Sequence, residues 1–261
     1  MSSMNLIALG ATGSMSGPSS PASSYLVRAD DGERTTSIVL DLGPGSFGAL
    51  WRVCPPSEID AIALSHLHID HCGDLMSMQI YRRWNPAGPL PPLPLLAPAD
   101  VIARMRGLDG YADDDTFAGE FSHGVLADNA VFEIGCLKIT AFAVRHTIPS
   151  YALRIEGPGP HGPQIITYSG DTDTCPGLIE AARDADLFLC ECGFTGADSA
   201  RGVHLDGARA ARVGAEAGVK RMLLTHIQPW TDPDIPLSEA RAVWDGPIDL
   251  IAPEVTYEVD A

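Results

Sequence analysis

Lysine is almost absent from this chain of 261 residues. Of its 17 basic residues only Lys138 and Lys220 are lysines, and the arginines form no basic tract. Acidic residues number 34, so the formal net charge is −17 at pH 7. A surface of this sign repels polyanions unless a local feature reverses it. The composition therefore argues against a general nucleic-acid-binding protein.

The sequence also has no long hydrophobic run, and its first residues do not show the pattern of a signal peptide. Residues 1–5 carry no positive charge ahead of an apolar run, unlike a signal peptide. No window approaches the roughly 20 apolar residues that a membrane-spanning helix needs. The six cysteines are scattered and match no four-cysteine zinc framework. We expect a cytoplasmic protein with reduced thiols and no membrane partner.

Short apolar runs that end in Gly, Asp or His recur along the chain and predict strands. Helical spacing of apolar residues predicts helices between and after the strand clusters, with Asp206 and Ser238 as N-caps of two of them. Residues 86–98 are rich in proline and predict a loop. This order indicates one domain over residues 1–261, an α/β (α+β) protein with sheets packed face to face and helices outside.

Three of the eight histidines lie within the six residues from His66 to His71. The segment follows a predicted buried strand, so it occupies a strand-to-helix loop where side chains can converge. Histidine and aspartate are the ligands of zinc-type sites. In extended backbone His66 and His68 face the same side and can bind one ion, whereas Asp70 and His71 lie after the bend and can reach a second.

Two ions need further ligands, and candidates stand at the ends of predicted strands: His146, Asp171 and His226. A carboxylate can bridge two metal ions through its two oxygens, whereas an imidazole nitrogen binds one, so Asp171 suits the bridging position. Four polar side chains on the 66–71 loop would be costly to bury without an ion. The sequence therefore predicts two divalent metal ions, Zn²⁺ or alternatively Mn²⁺.

The 66–71 pattern, followed by His146, the Ser-Gly-Asp-Thr segment 169–172 and His226, resembles the metallo-β-lactamase-fold hydrolases over nearly the whole chain. The resemblance implies a four-layer αββα sandwich, two mixed sheets flanked by helices, with a binuclear site at one edge. It also implies the ligand sets: one ion on His66, His68 and His146, the other on Asp70, His71 and His226, with Asp171 bridging.

Two details indicate which branch of these hydrolases the chain resembles. His68 stands where the flavodiiron branch carries Glu, which favours zinc hydrolysis over iron redox chemistry. The true β-lactamases lack the histidine that here follows Asp70. The segments 190–194 and 203–206 resemble the Glu-containing and His-containing motifs of the ribonuclease Z group and its phosphodiesterase relatives.

In that group the Glu/His pair protonates the leaving oxygen. Cleavage of a phosphodiester expels an alkoxide that needs a proton at neutral pH, and a histidine held by a carboxylate is a suitable donor. We therefore expect Glu191 and His204 to be catalytic. The alternative is a structural carboxylate and a histidine that merely precedes a helix.

Ribonuclease Z has a basic loop after its first strand and a long arm that grips tRNA. Here the loop 10–24 has no basic residue, and residues 147–170 leave room for only two strands and a turn. tRNA is therefore a poor candidate substrate. The segments 17–26, 41–50, 81–86 and 223–230 resemble instead a bacterial group of arm-less members described as cyclic-nucleotide phosphodiesterases.

The resulting hypothesis is a binuclear metal-dependent phosphodiesterase that hydrolyses a small phosphodiester, first of all a 3′,5′-cyclic nucleotide. Two ions would hold a bridging hydroxide, because metal binding lowers the pKa of water from about 15.7 to around 7. Asp70 would accept a proton from the attacking water, and His204, oriented by Glu191, would donate one to the leaving oxygen. Asp41, at a strand end, would orient a ligand histidine, with a simple turn aspartate as the alternative.

Two pairs of residues, two arginines and two aromatic residues, are candidates for contacts with the substrate. Arg82 and Arg83 are candidates for phosphate binding. The alternative is that the two side chains belong to a solvated helix face. Tyr25 and Trp230 are candidates for stacking on a base. The alternative is that both are core residues. Three other functions stay open: a ribonuclease Z-like RNA endonuclease, a lactone or thioester hydrolase, and a non-catalytic, metal-dependent nucleotide-binding protein. A homodimer is compatible with this fold family, but no segment identifies an interface.

Overall fold

The computed structural model describes residues 3–110 and 114–259. Its strands are β1 (Ser3–Gly10), β2 (Ser24–Asp30), β3 (Thr35–Leu40), β4 (Ala61–Ala63), β5 (Leu93–Ala97), β6 (Phe121–Val125), β7 (Val131–Ile134), β8 (Leu137–Val144), β9 (Ser150–Gly157), β10 (Gln164–Tyr168), β11 (Leu187–Glu191), β12 (Met222–Thr225), β13 (Ile248–Leu250) and β14 (Thr256–Glu258). Its helices are α1 (Ser46–Val53), α2 (Ile69–Cys72), α3 (Leu75–Arg83), α4 (Val101–Asp109), α5 (Pro176–Ala182), α6 (Gly207–Ala217) and α7 (Asp234–Arg241). None of these helices has the length and apolar character needed to cross a membrane.

The strands form two mixed sheets of seven strands each. Their orders are β14-β1-β2-β3-β4-β5-β6 and β13-β12-β11-β10-β9-β8-β7. Strands β3 to β6 are mutually parallel, and so are β10 to β13, whereas the other neighbours pair antiparallel. In each sheet the parallel strands therefore bring several carboxyl ends to one edge.

Three apolar layers separate the elements. The middle layer fills the space between the sheets with side chains from both, among them Leu6, Val27, Leu40, Leu153, Ile155 and Leu189. A second layer packs α1, α3 and α4 on the outer face of the first sheet. The third packs α5 and α6 on the outer face of the second sheet. Each buried leucine or isoleucine side chain stabilises the fold by about 1.5–3 kcal/mol relative to exposure. The predicted αββα sandwich is confirmed.

Several predicted elements have the bounds expected from the sequence, including β8 and β10. Asp206 is the N-cap of α6, since its carboxylate accepts a hydrogen bond from the Arg209 backbone amide at 2.8 Å. The predicted cap at Ser238 is wrong, because α7 begins four residues earlier, directly after Pro233. The predicted loop 86–98 is also wrong in part: residues 93–97 form β5, between β4 and β6.

Candidate metal centre

Sharp turns at the ends of three strands direct side chains into one edge of the sandwich. Asp41 follows β3 with φ 54°, His226 follows β12 with φ 59°, and Gly170, after β10, has φ 56°. Left-handed backbone is uncommon for residues other than glycine and costs of order 1–3 kcal/mol. A Cβ on Gly170 would lie 2.8 Å from the Cβ of Ser65, so glycine is needed there. Such strain is concentrated at functional sites, and here it aims Asp41 and His226 at the same point.

The 66–71 loop supplies four of the predicted ligands. His66 follows β4, and His68 is the N-cap of the short helix α2, which carries Asp70 and His71. The start of this helix separates the pair His66 and His68 from the pair Asp70 and His71. The bend expected from the sequence is therefore present, and the two pairs lie in different ligand groups.

His66, His68, His146 and Asp171 form the first ligand group. The Nδ1 atom of His68 lies 3.1 Å from the Nε2 atoms of both His66 and His146, and His66 Nε2 lies 3.7 Å from Asp171 Oδ2. In a tetrahedral site with metal–nitrogen bonds of about 2.0–2.1 Å, ligand atoms are separated by about 3.3 Å. The donor spacing therefore fits one zinc-sized cation.

Asp70, His71, His226 and Asp171 form the second ligand group, and all four are buried. Asp171 Oδ1 lies 3.2 Å from His71 Nε2, and Asp171 Oδ2 lies 3.2 Å from His226 Nε2. Among the residues that the structure describes, His71 Nε2, His226 Nε2 and Asp171 Oδ1 have no hydrogen-bond partner. A buried polar atom left without a partner costs about 1–3 kcal/mol. Three such atoms around one point fit a bound divalent cation.

Hydrogen bonds on the far side of the rings determine which nitrogen faces the centre. Four imidazoles place Nδ1 on an oxygen atom: His66 on Ser65 Oγ at 3.0 Å, His71 on Asp41 Oδ2 at 2.7 Å, His146 on the Val203 carbonyl at 2.8 Å, and His226 on Ser23 Oγ at 2.9 Å. A proton on each Nδ1 leaves the Nε2 lone pair free for a cation. His68 has the opposite orientation, since its Nδ1 faces the other ligands.

The Asp41 carboxylate connects both ligand groups. It is fully buried and accepts hydrogen bonds from the Ser65 amide and hydroxyl, the Tyr168 hydroxyl and His71 Nδ1, each at 2.7 Å. Ser65 in turn accepts from His66. One carboxylate therefore holds His71 directly and His66 through a single hydroxyl, which is more than a turn aspartate does.

Electrostatic coupling in the cluster is strong. Burial would lower the pKa of His71, but the Asp171 and Asp41 carboxylates outweigh it and hold that pKa well above its usual range. Burial would raise the pKa of Asp171, but His226, His71 and His66 hold it well below. Burial and the neighbouring imidazoles lower the pKa of His66. The carboxylates thus require a positive charge among the imidazoles, and a metal cation can replace the proton that supplies it.

Glu191 and His204 lie beside this cluster. Glu191 ends β11 and is fully buried; its carboxylate accepts from the Thr172 and Gly193 amides at 2.9 and 2.8 Å. His204 Nδ1 lies 3.0 Å from Glu191 Oε1 and 3.9 Å from Asp171 Oδ2. A Cβ on Gly193 would meet the His204 ring at 2.9 Å, so the ring packs directly on the backbone.

The Glu191 carboxylate favours the charged form of His204. Burial would lower the pKa of His204, but Glu191 and, more weakly, Asp171 raise it to about 9. The Glu191 carboxylate therefore favours the protonated imidazole over the neutral one. Because Nδ1 is held by Glu191, Nε2 carries the proton that can be transferred.

The two arginines predicted to bind phosphate are engaged within the protein, which corrects that prediction. Arg82 is buried and donates to the backbone carbonyls of Glu120 and Pro91. Arg83 pairs with the carboxylates of Glu120 at 2.6 Å and Asp115 at 3.1 Å. Both side chains anchor α3 to the segments around β5 and β6. A guanidinium group that is removed from water is costly unless it is paired, and these contacts provide the partners.

The prediction that Tyr25 stacks a base is also wrong. Its side chain is fully buried, its hydroxyl lies 2.6 Å from Thr225 Oγ1, and its ring packs against Tyr168. Trp230 has 66% of its surface exposed, and its role in base stacking stays a prediction. Tyr25 and Tyr168 are therefore core residues, and Tyr168 contacts Asp41.

Sequence reasoning missed the partners of the ligand rings. No motif assigned a role to Ser23 or Tyr168, and they reach His226 and Asp41 across 203 and 127 positions of the chain. The Val203 carbonyl is invisible to any pattern of side chains. Ser65 had a usable signal, because it directly precedes His66 at a strand end.

Comparisons with known proteins agree with this geometry. A family model described as a beta-lactamase superfamily domain matches residues 36–227. An uncharacterised protein of Mycobacterium leprae is 40% identical, over 99% of this chain and 89% of its own. A ribonuclease Z of Myxococcus xanthus is 30% identical, over 85% of this chain and 88% of its own.

A crystal structure shows the same fold. The metallo-beta-lactamase fold protein YhfI from Bacillus subtilis has a TM-score of 0.84 at 23% identity, covering 98% of this chain and 99% of that one. At this identity the likeness concerns the fold alone. The chain belongs to the metallo-β-lactamase-fold hydrolase superfamily, in its ribonuclease Z-like branch.

Proposed function

We propose that this protein is a metal-dependent phosphodiesterase that hydrolyses a small phosphodiester, a 3′,5′-cyclic nucleotide in the first place. The observation that carries the proposal is the buried Glu191–His204 pair beside Asp171, within reach of both ligand groups. An alkoxide leaving group needs a proton donor, and this pair holds a protonated imidazole at the required place. A metallohydrolase whose substrates have leaving groups that are stable without a proton does not need such a proton donor.

The donor set fits two divalent ions. The first ligand group would hold one ion and the second group the other, with Asp171 shared by both. Mixed nitrogen and oxygen donors suit Zn²⁺, with Mn²⁺ as the alternative. When bound, such ions supply a nucleophile from water at neutral pH and neutralise the charge of a phosphate group.

The chain's own residues manage the protons. As water adds to phosphorus, the phosphorus–oxygen bond to the leaving group breaks and its electron pair goes to that oxygen. The His204 Nε2 proton passes to this oxygen, and Glu191 stabilises the position of the ring throughout. Asp70, whose Oδ2 lies 3.4 Å from His71 Nε2, is placed to accept the proton lost by the water. The product is a phosphomonoester with a free hydroxyl.

The alternative of a ribonuclease Z-like endonuclease is favoured by the Myxococcus relative and disfavoured by the fold. The residues between His146 and Asp171 form β9, β10 and the turn 158–163, so no arm projects from this position. The net charge of −17 further disfavours a long polyanion. A small diester avoids both difficulties, because its single charge is met locally.

The test is a comparison of substrates on one metal-loaded preparation. We expect turnover of 3′,5′-cyclic AMP, weaker turnover of 2′,3′-cyclic nucleotides and linear dinucleotides, and none of pre-tRNA. A lactone and thioester panel run beside bis-p-nitrophenyl phosphate checks the ester alternative. Preferential cleavage of pre-tRNA or of a lactone would overturn the proposal, and recovery of a bound nucleotide unchanged would indicate a binding protein.

A further inference from the structure

A groove of about 360 Å³ opens beside His68, on the side of the first ligand group. Apolar side chains form its walls: Leu67, Pro98, Ile148 and Pro149. Two charged residues of α4 and its N-cap, Arg104 and Asp100, also line it. This volume lies at the lower end of the range for small-molecule pockets, which is room for one ring system and a sugar.

Arg104 differs from most cations of this chain. Arg83 and Arg209 each pair with two carboxylates, whereas in the described residues no carboxylate lies within salt-bridge distance of Arg104. Its side chain contacts the buried thiol of Cys72, next to His71 in the chain, and among the described residues its buried Nε has no hydrogen-bond partner. A half-buried guanidinium without an anion is costly unless a ligand completes its hydrogen bonds.

We propose, on the basis of the phosphodiesterase function above, that this groove binds the nucleobase of the substrate. A base has two apolar faces and a polar edge, which matches apolar walls with charged groups between them. Arg104 donates to a ring nitrogen or carbonyl oxygen of the base, and the Asp100 carboxylate accepts from an amino group. Because His68 belongs both to the groove and to the first ligand group, a phosphate held at the ligand cluster lies next to the groove.

The nucleobase subsite also explains a selectivity that the ligand cluster alone cannot provide. The cluster contacts only a phosphate group and treats every small diester alike. A substrate without a base would leave Arg104 and Asp100 as they are in the free protein. The groove therefore adds binding energy for a nucleotide and none for its abasic counterpart.

Two variants test the subsite in the full-length, metal-loaded protein. Arg104→Ala removes the donor, and Ala103→Trp, at an exposed position lining the groove, fills it. We expect each to raise KM for 3′,5′-cyclic AMP by about tenfold with little change in kcat, and to leave abasic ribose 3′,5′-cyclic phosphate unaffected. Arg212→Ala, which removes an exposed arginine of α6, is the charge-matched control and should change neither.

Equal effects of the groove variants on the nucleotide and the abasic diester would overturn the subsite, and so would no effect on either. A base-selective rise in KM caused by Trp230→Ala instead would place the base elsewhere. Saturation-transfer NMR with adenosine and guanosine gives a readout that does not depend on turnover. Nucleoside binding that Ala103→Trp abolishes supports the groove even if no phosphodiester is cleaved, in which case only the proposed function fails.

Discussion

The two ligand groups share Asp171 but differ in how they are enclosed. In the first group His68 and His146 are partly exposed, whereas every member of the second group is buried. The second group is also held more firmly, because side chains fix two of its rings: Asp41 holds His71, and Ser23 holds His226. In the first group one side chain, Ser65, fixes the His66 ring, whereas a backbone carbonyl fixes His146.

This difference assigns different tasks to the two groups. Side-chain partners behind a metal-ligating histidine raise affinity and hold the ring in one orientation. The second group is therefore suited to retain an ion. The first group, which opens towards the groove at His68, is suited to exchange with solvent and substrate.

The largest effect is expected at the carboxylate that both groups share. Asp171→Ala should abolish binding of both ions and reduce phosphodiester turnover by at least about 10³-fold, because each group loses a ligand at once. Elemental analysis after dialysis measures the metal content, and thermal unfolding should show no stabilisation by added Zn²⁺. Asp245→Ala, at an exposed position, is the control. Full retention of one ion in Asp171→Ala would show that the groups are independent.

The next largest effect concerns proton transfer and not metal binding. His204→Ala should slow hydrolysis of 3′,5′-cyclic AMP by about 10²–10⁴-fold with unchanged metal content, since the alkoxide leaves without a proton. With bis-p-nitrophenyl phosphate the loss should be small, because p-nitrophenolate leaves unaided. His161→Ala, at an exposed turn, is the matched control. A loss that is equal for both leaving groups, or a loss of metal, would make His204 a ligand or structural residue.

The comparison between the groups becomes sharper at Asp41. Asp41→Asn should lower the affinity of the second ligand group for its ion by about 10–100-fold, because His71 loses its anionic partner. The effect on the first group should be smaller, because Asp41 reaches His66 only through the Ser65 hydroxyl. Titration with a chromogenic chelator should then show that the ion of the second ligand group is released as readily as the ion of the first group. Two unchanged release phases would contradict the role of Asp41, and unfolding curves of the metal-free protein check that the variant folds.

Local patterns predicted which histidines the fold brings together, for physical reasons. The ligands crowd into the 66–71 loop or stand at strand ends, and the ends of parallel strands meet at one edge whatever the details of packing. The same reasoning predicted β8 and β10, whose apolar runs are bounded by turn residues. It missed β5, because proline is normally excluded from interior strands, yet Pro94 precedes the residues that pair with β4.

Long-range contacts explain the remaining errors. Tyr25 looks like an isolated aromatic residue, and only the packing of β2 against the second sheet buries it on Tyr168. Arg82 lies at the end of a helix with an exposed face, and the carbonyls that bind it belong to segments 9 and 38 positions away. Arg104 gave no signal in the sequence, since its candidate role depends on the groove around it and on having no carboxylate within salt-bridge distance among the described residues.

The smallest effect should appear at Ser23, which supports a single ring by a neutral hydrogen bond. Ser23→Ala removes the 2.9 Å contact to His226 Nδ1. A hydrogen bond of this kind contributes about 0.5–1.5 kcal/mol, so the affinity of the second ligand group should fall by roughly 2–10-fold, less than for Asp41→Asn. Chelator competition measures it, with Ser122→Ala, exposed on β6, as the control. An effect on the first ion alone would reverse the comparison, since His226 would then serve the group that faces the groove.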